Sequence, residues 1–219
     1  MPAPRVLTVV SQPFAENSYI AWREGQRDCI VLDPGFEPDL IIEAVERNHL
    51  RPAAILNTHG HSDHIAGNAA MKERWPECPL LIGVHETEKL SDPMQNLSGL
   101  FGAALISPSA DQTLADGDQY SIAGFEFLVR EIPGHSSGHV VFISQKDTPV
   151  IVFGGDVLFA GSIGRTDFPD GDLDQLAAGI REKLYTLPDD TIVYPGHGEP
   201  TTIGHEKRTN PFVGERASR

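Results

Sequence analysis

One short stretch constrains this chain more than any other feature. His59, His61, Asp63 and His64 fall within six residues, directly after the apolar run Ala53-Ala54-Ile55-Leu56. Any fold it adopts must turn sharply at the end of a strand and still accommodate three imidazoles and a carboxylate side by side. Imidazole nitrogen and carboxylate oxygen form the ligand set of Zn²⁺ or Fe²⁺. The small residues Gly60 and Ser62 between them do not obstruct convergence. A polar helix-capping loop would explain a solitary histidine there, but not four such groups at this spacing.

Three further places repeat the arrangement of a strand followed by a tight turn and a metal-type residue. Pro133-Gly134-His135 follows an apolar run over 125–132, Gly154-Gly155-Asp156 follows 150–153, and Pro195-Gly196-His197 follows 191–194. Each is weak alone, because such turns are common. Together with the first cluster they supply five histidines and two aspartates, enough for two metals. The balanced grouping places His59, His61 and His135 on one metal and Asp63, His64 and His197 on the other. Asp156 bridges them and offsets the repulsion of two dications. A hydroxide held between the ions would complete both shells. Zinc is the first expectation, with iron or manganese as alternatives.

The remaining pattern predicts strands over residues 5–10, 18–23, 29–32, 53–56 and 80–82, then 120–122, 125–132, 140–144, 150–153 and 191–194. Helices are expected at 38–49, 65–75, 86–90, 173–184 and 202–207, with Pro38 suited to a first turn. Strands and helices in both halves, roughly 1–110 and 111–219, predict two facing sheets with helices outside, within one domain. Residues 91–110 carry no clean period and read as a long connection, either a wall of a binding site or a surface excursion. The tail beyond Phe212 reads as frayed. Cys29 sits in an apolar run and Cys78 in a turn, with no metal-ligand spacing between them, which favours reduced thiols and a cytoplasmic location. The N-terminal apolar run is too short for a signal-peptide core, and none approaches the roughly 18 apolar residues of a membrane span. A formal charge of −14 disfavours nucleic acid as a partner. A small molecule acting on a monomer or small homo-oligomer is the expected partnership.

These motifs resemble the metallo-β-lactamase superfamily, whose Thr-His-x-His-x-Asp-His signature is matched by Thr58 to His64. The chain is most similar to the glyoxalase II-like branch, the hydroxyacylglutathione hydrolases, in its short bacterial type without the large C-terminal helical domain. The likeness runs through Asp33-Pro34-Gly35, residues 133–139, 155–159 and 161–169, Pro195-Gly196-His197-Gly198 and Asn210-Pro211-Phe212, nearly the whole chain. It implies an α/β (α+β) four-layer αββα sandwich, the metallo-β-lactamase fold. It implies the same ligand grouping as above, with the metals at one edge between the sheets. Full-length glyoxalase II enzymes draw basic groups for glutathione from the helical domain. Here Lys207 and Arg208 are the positive charges near the corresponding end.

The expected chemistry is hydrolysis of an acylated thiol such as S-acylglutathione. The metals lower the pKa of a water from ~15.7, Asp63 orients that water, and no Ser or Cys has a nucleophile context. Asp33 and His139 are expected behind the ligands, Asp33 fixing the tautomer of a ligating imidazole. Arg165 and Asp167 are expected to pair and hold a long loop. His49, His85 and His205 lack a ligand context. Two alternatives stand beside hydrolysis. One is a mononuclear-iron persulfide dioxygenase, suggested by the loop at 163–168. The other is a catalytically inactive metal-binding partner protein.

Overall fold

The computed structural model describes residues 4–12, 14–215 and 217. Its first sheet runs in chain order: β1 (Arg5–Val10), β2 (Asn17–Trp22), β3 (Asp28–Leu32), β4 (Arg51–Leu56), β5 (Leu80–Gly83) and β6 (Gln112–Leu114). β1 to β3 form an antiparallel meander, and β3 to β6 run parallel. The second sheet contains β7 (Gln119–Ile122), β8 (Phe125–Glu131), β9 (Val140–Ser144), β10 (Ile151–Gly155), β13 (Ile192–Pro195) and β14 (Thr201–Thr202), in the order β14-β13-β10-β9-β8-β7. β11 (Leu158–Phe159) and β12 (Ser162–Ile163) make a small separate hairpin.

Period-two alternation explains the layering. In β3, Ile30 and Leu32 face the second sheet, where they join Phe125, Phe127, Phe142 and Phe153 in the central core. Cys29 and Val31 face outward and pack with Ile41 and Val45 of α1 (Pro38–Arg47) and Met71 of α3 (Asn68–Arg74). The second sheet repeats the scheme. Val141, Ile143, Val152 and Val193 meet Leu176 of α4 (Leu173–Gly179), Ile180 and Leu184 of the π-helical turn that continues it, and Ile203 of α5 (Ile203–Thr209). The result is the expected αββα sandwich.

Some expectations change. The helix expected over 65–75 is broken into α2 (Ser62–Ile65) and α3. Gly67 lies at the break and donates its N–H to the Pro34 carbonyl at 2.7 Å, so the chain follows the preceding loop there instead of continuing the helix. Leu40 fits the helical period of α1 but is exposed, since the buried stripe is Ile41 and Val45. The strands β6, β11, β12 and β14 were not expected; at two or three residues each they show no alternation. Beyond Phe212, Val213 is buried in the outer core of the second sheet, so this part of the tail is packed and not frayed. Residues 216, 218 and 219 of that tail, and residues 1–3, lie outside the described residues. Cys29 and Cys78 are both buried free thiols, and burial pushes each up to about 12. No helix among the described residues is long and apolar enough to cross a membrane.

The topology decides where chemistry can sit. β3, β4, β10 and β13 belong to parallel pairs, and β8 runs in the same direction as β10 because each is antiparallel to β9. In open α/β sheets the loops after such strands collect at the carboxyl edge, where ligands bind. Asp33, His59 to His64, His135, Asp156 and His197 all lie in or just beyond those strand ends.

Candidate metal centre

The centre begins with a strained residue. Asp33 follows β3 and holds φ of +46°, a conformation rare outside glycine. This turn aims its carboxylate across to the end of β4. Oδ1 accepts the Thr58 N–H at 2.7 Å, and Oδ2 accepts the Thr58 hydroxyl at 2.7 Å and faces His64 Nδ1 at 3.1 Å. Because a carboxylate only accepts, His64 keeps a proton on Nδ1, which leaves Nε2 as the nitrogen that faces inward and can serve as a ligand. Thr58 Oγ1 has spent its own proton on Asp33, so it accepts from His59 Nδ1 at 3.1 Å. The His59 Nε2 lone pair therefore also points inward. His135 reaches the same state from the second sheet, donating Nδ1–H to the Arg165 carbonyl at 2.8 Å. Three imidazoles are thus held in one tautomer by groups behind them.

Those inward nitrogens crowd one another. His59 Nε2 and His135 Nε2 each stand 3.0 Å from His61 Nδ1. One proton cannot satisfy three such atoms, and uncompensated lone pairs at this spacing repel. The ligand atoms of His59, His61 and His135 lie within 4.8 Å of one another, and so do those of Asp63, His64 and His197, and those of His59, His64 and Asp156. Asp156 lies between the triads, its carboxylate 3.4 Å from His64 Nε2, His135 Nε2 and His197 Nε2. His197 Nε2 also stands 3.4 Å from Asp63 Oδ2. His64 Nε2 and Asp156 Oδ1 are buried without a hydrogen-bond partner. Convergent lone pairs and orphaned buried acceptors are what a cation relieves, so the residues fit two divalent metals.

The electrostatics divide the centre. Burial, and then the neighbouring imidazoles, holds His59 and His61 well below the usual histidine range. Burial would lower His64 too, but Asp156 and Asp63 outweigh it and hold it well above that range. His197 is lowered by burial but raised more strongly by hydrogen bonds to Asp156 and Asp63, to about 10. Burial would raise both carboxyls, yet His64 and His197 hold Asp63 and Asp156 below the usual carboxylate range. In one triad burial disfavours charge on His59 and His61, and the other balances charge against carboxylates.

The supporting residues include some that sequence reasoning had passed over. His139 Nε2 accepts the Asp156 N–H at 3.0 Å, and its ring stacks on His59 at 4.6 Å, so it lies behind both. Glu86 sits on the 3₁₀ helix Val84–Leu90 and is fully buried. Its Oε2 accepts the N–H of Gly60, between His59 and His61, at 2.7 Å. Its Oε1 accepts from Ser136 Oγ and Gly138 N, beside His135, each at 2.7 Å. Lys89 Nζ pairs with that oxygen at 2.9 Å, reaches Asp170 Oδ2 at 2.6 Å, and contacts Ser136 Oγ. A single carboxylate therefore holds both loops of the all-histidine triad. Gly60 is required by close approach, since a β-carbon there would stand 2.5 Å from that of Lys89. The only sequence signal was the Glu86/Lys89 spacing, which ordinarily marks a surface helix pair. Ser136 is spent in this network, donating to Glu86 and contacting Lys89.

The centre opens into a cavity of about 200 Å³ lined by His61, Asp63, Asp156 and His197 together with Phe14, Leu97, Phe101, Arg165 and Phe168. Leu97 and Phe101 belong to the long connection at 91–110, which therefore walls the site. Arg165 and Asp167 pair as expected, at 2.7 Å twice. Lys207 and Arg208 turn to Asp189 and do not line the cavity. His49, His85 and His205 are exposed and stand apart from the centre.

Comparison with known proteins agrees with this geometry. Hydroxyacylglutathione hydrolase GloC of Haemophilus influenzae is 36% identical over 211 residues, 93% of this chain and 95% of that protein. The crystal structure of the B3 metallo-beta-lactamase BLEG-1 superposes with a TM-score of 0.90 at 36% identity, over 95% of this chain and 99% of that one. TTHA1623, crystallised in a di-iron-bound form, superposes with a TM-score of 0.82 at 35% identity, over 94% and 99%. The profile of the metallo-beta-lactamase superfamily matches residues 11–197, and the chain belongs to that superfamily.

Proposed function

We propose that the protein is a dinuclear metallohydrolase that cleaves a thioester, S-acylglutathione or a related acyl thiol. The observation that carries the reading is the convergence of His59, His61, His135, Asp63, His64, His197 and Asp156 on one cavity floor, with several lone pairs turned inward by fixed outer partners. The first three would hold one metal, Asp63, His64 and His197 the second, and Asp156 both. Zinc and iron both suit these donors. When bound, the metals supply Lewis-acid activation of a water and of the scissile carbonyl.

The chain's own residues supply order. Asp33 and the Arg165 carbonyl keep ring protons on the outer nitrogens of His64 and His135, preserving inward lone pairs through turnover. Asp63, partly open to the cavity, orients the attacking water. Its depressed basicity makes it a weak proton acceptor. A thiolate leaves without a strong general acid, which matches the lack of an uncommitted acid on the floor among the described residues. The resemblance to GloC favours a thioester as the bond cleaved.

The test is metal content per chain on protein purified without added metal, followed by an anaerobic assay for free thiol on that sample. Two metals and thiol release from S-acyl thiols are expected. One iron with oxygen uptake on a persulfide would assign a dioxygenase. Ring opening of a β-lactam without thiol release would assign a different bond.

A further inference from the structure

The mouth of the cavity differs in chemistry from its floor. Phe14 and Phe101 stand at the rim with rings 5.6 Å apart, and Phe36 adds a third ring 5.7 Å from Phe14. Phe101 is 64% exposed and Phe14 38%, so these rings hold apolar surface open to solvent where a substrate must pass. Leu97 forms a fixed part of the wall. It is held at φ +68° beside Asn96, whose side chain bonds the carbonyls of Lys89 and Leu105 at 3.0 Å each. The side chain of Leu97 is thereby set in place as apolar lining of the cavity.

The cations nearby are already engaged. Arg165 is the one Lys or Arg lining the cavity among the described residues. Its guanidinium is bidentate on Asp167 and lies 4.3 Å over the Phe168 ring. Lys89 lines an adjoining cavity but is tied to Glu86 and Asp170. Arg165 keeps only Nη1 uncommitted by the pair with Asp167, and the neighbouring Asp167 and a net charge of −14 oppose the approach of a carrier bearing carboxylates.

Resting on the thioesterase reading, we propose that the carrier thiol recognised here is uncharged and apolar, crossing the rim between Phe14, Leu97 and Phe101, and that glutathione is a poor carrier. The carbonyl must reach the floor, and a cavity of about 200 Å³ accommodates a small acyl group and the sulfur. The rest of the thiol then lies against the aromatic rim. Burying a phenyl-sized group there gives roughly a tenfold or greater preference.

The experiment holds the acyl group constant and varies the carrier: benzyl mercaptan, N-acetylcysteamine and glutathione, on metal-loaded protein. Expected is a kcat/KM for the benzyl ester at least about tenfold above that for the glutathione ester. Phe101→Ser and Phe14→Ser, both on exposed rings, should raise KM for the benzyl ester by about fivefold to tenfold and that for the glutathione ester by less, with the loss carried in KM and not in kcat. A preference for glutathione, equal losses on both esters, or a loss confined to the glutathione ester in Arg165→Ala would overturn the proposal. So would self-association through the rim that Phe101→Ser abolishes. If no thioester is turned over, the thioesterase reading fails on its own. The rim is then decided by calorimetry with S-benzyl and glutathione thioethers, where equal or absent binding overturns it.

Discussion

The two triads are built from the same kinds of loop yet differ in almost every physical respect. His59, His61 and His135 are buried, and Glu86 clamps their loops from behind across both sheets. Asp63, His64 and His197 include two partly open side chains, and their charges are balanced against one another and against Asp156. The enclosed triad is pre-organised by hydrogen bonds that exist before any ion arrives. The open one is organised largely by its own charges, with only His64 pinned by Asp33. The lesson is that one centre can contain a rigid socket and an adjustable one, and that the outer partners reveal which is which.

That contrast can be broken most severely at the shared residue. Asp156→Ala should empty both sites and lower hydrolysis by about 10³-fold or more, read by metal analysis and thiol release. Retention of both metals would show that Asp156 is not shared. A sharper cut comes from behind. Glu86→Gln should lower activity by about 10–100-fold and weaken one metal selectively, read as a loss of one step in a cobalt titration. Glu86→Ala is a poorer probe because it leaves the buried donors Gly60 N, Gly138 N and Ser136 Oγ without their acceptor, at about 1–3 kcal/mol each in folding. His197→Ala should remove the other step and leave the all-histidine site loaded. If both variants lose the same metal, the division into two sockets is wrong. Chelation of both metals should lower the melting temperature by about 10 °C, since it abolishes a ligand that binds only the folded state. At the small end, Lys207→Ala should change kcat/KM by less than about twofold on any carrier, because Lys207 faces Asp189.

How much of this was legible in the sequence follows from how local each signal is. Strands such as Cys29 to Leu32 were readable as unbroken apolar runs, because both faces are buried, one against the second sheet and one against the helices. The short strands β6, β11, β12 and β14 were not, because pairing by a neighbour defines them and their own pattern does not. The residues now found on the cavity floor were readable as metal-type groups at strand ends. Glu86 was not, since its role depends on Gly60 and Ser136 arriving from elsewhere in the chain. The Arg165 carbonyl that orients His135 was invisible for a stronger reason: every residue has a carbonyl, and only the fold selects one.

The centre draws His59 to His64 from the first sheet and His135, Asp156 and His197 from the second. During synthesis the histidine-rich loop therefore leaves the ribosome long before its partners. On the two-metal reading, neither cation would have a complete cage until residue 135 for one, and residue 197 for the other, had emerged and both sheets had docked. Metal acquisition would then be a late event in the life of each newly made molecule, and an ion captured earlier would be held by a fragment of the cage.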